Sequence, residues 1–248
     1  MLVTKMGKKK SLFSKNKPFK WAIILFALIV GLPIGYYFYN GRLFRKYRGD
    51  FLSQFPTGYT NHGIDISHHQ GKMDWELMFD DLGYDTLVQF VYCKATESID
   101  HLDRQWGRNR KELTRLGIVH GAYHFFNGQK PPREQASHFL KHWSHRDIDL
   151  APMLDVEIEG FSDEDLIAKM KIWLTVVEKE TGFRPIIYCS NHYFETKFKN
   201  HFKNYKFWIA AYSREPSSFN DPRIIYWQFS EKGQMAGTNE FVDLNVGK

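Results

Sequence analysis

Acidic residues are almost absent from the first 50 positions, where Asp50 stands alone among 11 lysines and arginines. The remaining positions hold 23 basic against 27 acidic residues, so the formal charge of +6 belongs to the N-terminal segment. The rest of the chain has no basic excess with which to draw a polyanion, and this excludes nucleic acid as a partner. Cysteine is scarce as well, with only Cys93 and Cys189, both in apparent strands far apart in sequence. Two cysteines make no disulfide framework; two buried free thiols are expected, with a single bridge as the alternative. There is no internal repeat, no low-complexity linker and no second domain after the last apparent strand.

What the N-terminal segment does have is one long uncharged run. Lys5, Lys8, Lys9, Lys10, Lys15, Lys17 and Lys20 precede Trp21 to Tyr39, which at helical rise is long enough to cross a hydrocarbon core. Residues 1–20 read as a basic cytoplasmic tail, 21–39 as one transmembrane helix in a lipid bilayer, and 40–61 as a juxtamembrane connection. Trp21 at one end and Tyr36, Tyr37 and Tyr39 at the other suit the two interfaces. Cleavage as a signal peptide is the competing reading, but large aromatics, Asn40 and Arg42 stand where a small-x-small site is needed. An uncleaved, single-pass anchor places the large domain outside the cytoplasmic membrane.

From residue 62 onward the patterning is that of alternating strands and helices. His62 to Ser67, Leu87 to Ala95, Ile118 to Phe126, Ala151 to Glu157 and Pro185 to Ser190 read as strands. Helical signals fall between them: from Trp75 after Asp74, from Asp103 to Leu116 before Gly117, from Pro132 to about His145, and from Ser162 to Thr181 before Gly182. Phe207 to Tyr212, Ile224 to Ser230 and Phe241 to Asn245 add three more strands, with little helix after residue 200. Strand–helix alternation implies a parallel sheet, and about eight strands in one α/β domain of this size imply a closed, irregular TIM-like β/α barrel over residues 62–248 with reduced helices in its C-terminal part.

Four acids then gain a common place. Asp155 and Glu157 are two residues apart in a strand, so they project to one face while Val156 points into packing. Taken alone, such a pair also fits a solvated strand end. In a barrel, however, Asp65, Asp155, Glu157 and Asp243 all fall at or near the strand ends that form the mouth. Close carboxylates push one another's pKa values apart, the asymmetry that acid-assisted cleavage of a glycosidic bond needs. Tyr123, Tyr188, Trp208, Tyr212 and Trp227 lie near strand ends too, and each reads equally as a platform for sugar rings or as barrel core. Lys94 reaches the mouth or forms a structural ion pair with Glu97, and Glu159, before Gly160, faces solvent.

These motifs, in this order, resemble the glycoside hydrolase family 25 lysozymes, the Chalaropsis-type muramidases. The resemblance rests on Gly63-Ile64-Asp65-Ile66-Ser67 with Gln70-Gly71 and Asp74-Trp75, then Lys94-Ala95-Thr96-Glu97, Gly121-Ala122-Tyr123-His124-Phe125 and Leu154-Asp155-Val156-Glu157. Trp208-Ile209-Ala210-Ala211-Tyr212, Trp227-Gln228-Phe229-Ser230 and Val242-Asp243-Leu244-Asn245 complete it. It implies hydrolysis of the β-1,4 bond between N-acetylmuramic acid and N-acetylglucosamine in peptidoglycan, without a cofactor or metal, by a monomer. It implies Glu157 as general acid and base, Asp155 as partner to the substrate acetamido group or as nucleophile, and Asp65 and Asp243 as the rest of the acidic site. Tyr123, Tyr188, Trp208, Tyr212, Trp227 and Lys94 are the expected substrate-binding residues.

Two other readings share the barrel. A metal-dependent polysaccharide deacetylase is suggested by His68-His69 and by His120 with His124. Four residues apart on one strand, the second pair spans more than ~13 Å, too far to grip one ion. A catalytically silent glycan-binding scaffold is the other, and the presence of all four acids argues against it.

Overall fold

The computed structural model describes residue 21 and residues 25–81, 83–84, 87–144, 150–212 and 215–248. The expected basic tail, residues 22–24 of the expected membrane span, and the expected helix end at His145 lie outside them. The chain divides into two units, Met1–Lys46 and Tyr47–Lys248.

Among the described residues of the larger unit, nine strands alternate with helices: β1 (Asn61–Ile66), β2 (Phe90–Glu97), β3 (His101–Leu102), β4 (His120–Phe125), β5 (Met153–Val156), β6 (Ile186–Ser190), β7 (Lys206–Ala210), β8 (Ile224–Gly233) and β9 (Val242–Gly247). Eight of them close into a barrel in the order β1-β9-β8-β7-β6-β5-β4-β2, with β2 returning to β1. Short β3 only folds back on the end of β2. From β1 through β8 the barrel pairings are parallel, but β9 runs antiparallel to both β8 and β1. This corrects the expectation for Asp243, which lies near the beginning of its strand; reversal of β9 brings that beginning to the mouth beside Asp65.

Alternation decides what fills the barrel. Phe90, Tyr92, Tyr123, Met153, Ile186, Tyr188 and Trp208 form one buried cluster in the interior. Each such large side chain contributes about 1.5–3 kcal/mol through burial. Two glycines make room for the rings: a Cβ on Gly63 would lie 2.1 Å from Phe90, and one on Gly121 2.4 Å from Tyr92. The opposite strand faces carry Ile64, Val91, Leu154, Val156, Ile187 and Ile209, also buried. Cys93 and Cys189 lie among these outward residues, buried and free.

The helices Trp106–Leu116, Pro132–His142 and Asp163–Thr181 lie where periodicity places them, and Gly117 and Gly182 end two of them with positive φ of 68° and 76°. Ser162 accepts a hydrogen bond from Asp165 N–H at 3.2 Å. One local expectation changes. The helix expected from Asp103 begins at Trp106, because the Asp103 carboxylate accepts from His68 and from Gln105 N–H. The helix expected from Trp75 begins there, capped by Asp74, and widens over Leu77–Asp81.

Before the barrel a wide turn at Ala27–Gly31 leads into the helix Leu32–Leu52. Among the described residues no helix is long and apolar enough to cross a membrane. The expected span is not realised as one apolar helix, because this helix runs past Tyr39 into Arg42, Arg45, Lys46 and Arg48. The side chains of Trp21, Leu25, Phe26, Leu28, Ile29, Leu32, Ile34 and Tyr36 to Tyr39 are all exposed. Part of the expected juxtamembrane connection packs instead: Phe51 stacks on Tyr84 at 4.9 Å and Phe55 on His62 at 4.2 Å.

Candidate active site

At the mouth, the inward positions of the strands change from apolar to polar. A cleft of about 260 Å³ opens there, with Asp65, Lys94, Tyr123, Asp155, Glu157, Tyr188, Tyr212, Gln228 and Asp243 in its wall. Asp155 and Glu157 both line it while Val156 between them is buried on the other face, as a period of two requires. Asp65 and Asp243 are directly opposed across β1 and β9. A β-bulge between Lys94 and Thr96 lets both face usefully: Lys94 enters the cleft, and Thr96 turns outward to bond His124 at 2.8 Å.

A buried amide network holds the deepest acid. Asp65 Oδ2 accepts from Gln228 Nε2 at 2.9 Å and from Asn245 Nδ2 at 2.8 Å. Gln228 Oε1 in turn accepts from the hydroxyls of Tyr188 at 2.7 Å and Tyr212 at 2.8 Å. On the other side Trp208 Nε1 donates to Asn245 Oδ1 at 2.9 Å. Each amide thus has its oxygen and nitrogen fixed by its partners, and Asp65 is locked by donors on two strands.

The four carboxyls hold protons at pH values where isolated ones release them. Burial pushes Asp65 up to about 6, against the pull of its bonds to Asn245, Gln228 and Asp243. Burial, then the charge and hydrogen bond of Asp65, push Asp243 up to about 9. Asp155 is raised well above the usual carboxylate range by burial, then by Glu157 and Asp65, with Lys94 opposing. Its Oδ1 is buried with no hydrogen-bond partner among the described residues. Glu157 is raised by burial, and a bond to Tyr188 and the charge of Lys94 partly offset this. Its side chain nonetheless reaches solvent at the lip, so it combines a retained proton with access.

Residues 64–238 match the family described as Glycosyl hydrolases family 25. The chain belongs to that family. It is a glycoside hydrolase. Of its curated relatives, the Escherichia coli K12 protein YegX is 34% identical over 197 residues, covering 79% of this chain and 72% of its own. Lysozyme M1 from Streptomyces globisporus is 27% identical over 205 residues, covering 74% of this chain and 66% of its own. Among solved structures, the bacterial lysozyme from Streptomyces coelicolor superposes with a TM-score of 0.67 at 26% identity, covering 77% of this chain and 93% of that one.

On this family 25 barrel the four expected acids share one cleft, and Tyr123, Tyr188 and Tyr212 join them. Lys94 satisfies both its readings, lining the cleft while its Nζ pairs with Glu97 at 2.6 Å. Trp208 and Trp227 are not in the cleft wall. Trp208 is inward but one layer down, fully buried in the aromatic plug. Trp227 is on the outward parity of β8, packed against Tyr59, Phe219 and Phe229 with Nε1 bonded to Ala211 O at 2.8 Å. Gln228 and Asn245 belong to the site as well, and neither is among the residues expected there from sequence. Asn245 had a signal, being two residues beyond Asp243 and therefore on the same face. The histidine pairs have other partners: His68 Nδ1 bonds Asp103 at 2.7 Å, while buried His124 is held down at about 3 and bonds Gln135 at 3.2 Å. Among the described residues no three His, Cys, Asp or Glu are placed to hold a metal ion.

Proposed function

We propose that this protein is an N-acetylmuramidase that cleaves the β-1,4 bond between N-acetylmuramic acid and N-acetylglucosamine in peptidoglycan. The observation that carries this reading is the pairing of a solvent-reaching, proton-retaining Glu157 with a buried Asp155 in the same cleft. Glu157 is the general acid, giving its proton to the leaving oxygen and afterwards taking one from water. Tyr188 and Lys94 stabilise the carboxylate that forms in between. Asp155 faces the positive charge that develops at the anomeric carbon. Its unpartnered Oδ1 matches the N–H of a substrate 2-acetamido group, whose carbonyl oxygen then supplies internal nucleophilic assistance. An unpartnered buried oxygen costs about 1–3 kcal/mol, relieved once such a donor binds. Asp65, fixed by Gln228 and Asn245 and by the proton of Asp243, keeps one negative charge near Asp155. The tyrosines of the wall offer flat faces with polar tips to the sugar rings.

The named relative Lysozyme M1 and the lysozyme structure from Streptomyces coelicolor support the reading. All the residues used belong to one barrel, so a monomer is sufficient. The exposed apolar stretch from Leu25 to Tyr39, with the lysines before it, supports attachment to a lipid bilayer with residues 1–20 cytoplasmic and the barrel on the wall side. The deciding experiment digests purified peptidoglycan and identifies the products by mass spectrometry. New reducing ends on N-acetylmuramic acid are expected, with none from Glu157→Gln; reducing N-acetylglucosamine ends, or equal release by Glu157→Gln, would overturn the assignment.

A further inference from the structure

Beside the catalytic cleft lies a second groove of about 590 Å³, whose wall includes His69, Lys72, Asp74, Arg104 and Glu240. It is continuous with the cleft, because His69 and Gln70 line both. Its volume falls within the range of pockets that hold small ligands. Three segments build it, the loop following β1, the loop joining β8 to β9, and the turn after β3 that carries Arg104; the first two are tied together at several points. Gln70 Nε2 donates to Phe241 O at 2.8 Å, and Asp74 N–H to Gly237 O at 2.8 Å. Gly237, with φ of +89°, leaves no space for a side chain: a Cβ there would meet Met78 at 2.5 Å and Asp74 O at 2.7 Å. The groove is therefore a fixed feature of the fold.

Its charges are uncommitted. Lys72 and Arg104 are exposed, and neither forms an ion pair among the described residues; Arg104 makes only a long contact to His68 O at 3.5 Å. Asp74, by contrast, has its carboxylate turned to Leu77 N–H at 3.1 Å, which leaves Glu240 as the available acid. Two free cations and one free anion beside a sugar-binding cleft match a short zwitterionic peptide attached to the glycan, bearing carboxylates and one amine.

We propose that this groove binds the stem peptide of peptidoglycan, with Lys72 and Arg104 taking its free carboxylates and Glu240 the amine of its diamino acid. This rests on the muramidase reading, from which the identity of the attached peptide comes. The groove makes the enzyme select glycan that still carries uncapped stems.

The test compares soluble glycan chains bearing stems with the same chains stripped of them. Wild type is expected to favour the stem-bearing chains in kcat/KM, and Lys72→Ala/Arg104→Ala is expected to lose about tenfold of that preference, the size of two modest ion pairs. No preference in wild type, or a preference that survives the double change, overturns the proposal. A second measurement does not depend on turnover: calorimetric binding of a disaccharide–stem fragment to Glu157→Gln, with and without the two groove substitutions. If wild type cleaves neither glycan but the groove substitutions weaken this binding about tenfold, the groove stands and the muramidase reading falls. If binding is unchanged by them, the groove assignment fails whatever the turnover.

Discussion

Asp65 and Asp243 face each other as a register pair across β1 and β9, and the hydrogen bond between them makes Asp243 the donor and Asp65 the acceptor. The pair shares a proton well above the pH at which either acid would ionise alone.

Stability should therefore fall as pH rises. Unfolded, both acids ionise near 3.8; folded, Asp65 keeps its proton to about 6 and Asp243 to about 9. Between those values the folded state binds more protons than the unfolded state, so each rise in pH favours unfolding. Asp243→Asn keeps a donor toward Asp65 without the charge. It is expected to flatten this decline and to be more stable than wild type at pH 8 by about 1–3 kcal/mol. Urea melts at pH 5 and pH 8 give the comparison, and parallel declines in the two proteins would count against a shared proton.

Lys94 pulls both Asp155 and Glu157 down, so Lys94→Met should let their carboxyls keep protons to higher pH. The alkaline limb of the kcat/KM profile then moves upward, because the general acid stays protonated longer. A profile that scales down without shifting would show that Lys94 acts only through substrate binding.

Asp155→Asn removes the carboxylate that faces the developing positive charge while keeping shape. A fall in kcat of about 100- to 1,000-fold is expected, with little change in KM. Reducing-end assays on purified peptidoglycan, with circular dichroism to verify folding, provide the readout.

Trp227 tests the parity of β8. Trp227→Ala should cost about 3–5 kcal/mol of stability, as expected for loss of a buried indole. KM should stay at the wild-type value, because the ring packs on Phe219 and Phe229 outside the barrel. Kinetics below the lowered melting temperature separate these effects, and a raised KM would place the ring in contact with substrate.

Much of the site was legible because a period of two is strict within regular strands. The placement of Asp155, Val156 and Glu157 followed from it directly. Parity alone also separates Trp208 from Trp227, but only once register is known. Depth along the barrel axis then removes Trp208 from the cleft, and no local pattern records depth. The bulge at Lys94 and Thr96 and the reversal of β9 are set by pairing with distant strands, so they were invisible locally. The short helix over Asn191–Phe198, capped by Ser190, carries no strong periodic signal of its own.

The antiparallel stave β9 lies between β1 and β8, and it carries both Asp243 and Asn245. Of all the barrel strands it is the last to leave the ribosome, while its partner β1 is the first. A growing chain thus carries Asp65 with an open edge and only the Gln228 half of its amide clamp until synthesis has passed β9, and the wall-cutting chemistry cannot switch on before the barrel is complete. Joining the earliest and latest strands in this way makes folding depend on a distant contact, a slow step by its topology. It also ties the appearance of activity to the synthesis of β9.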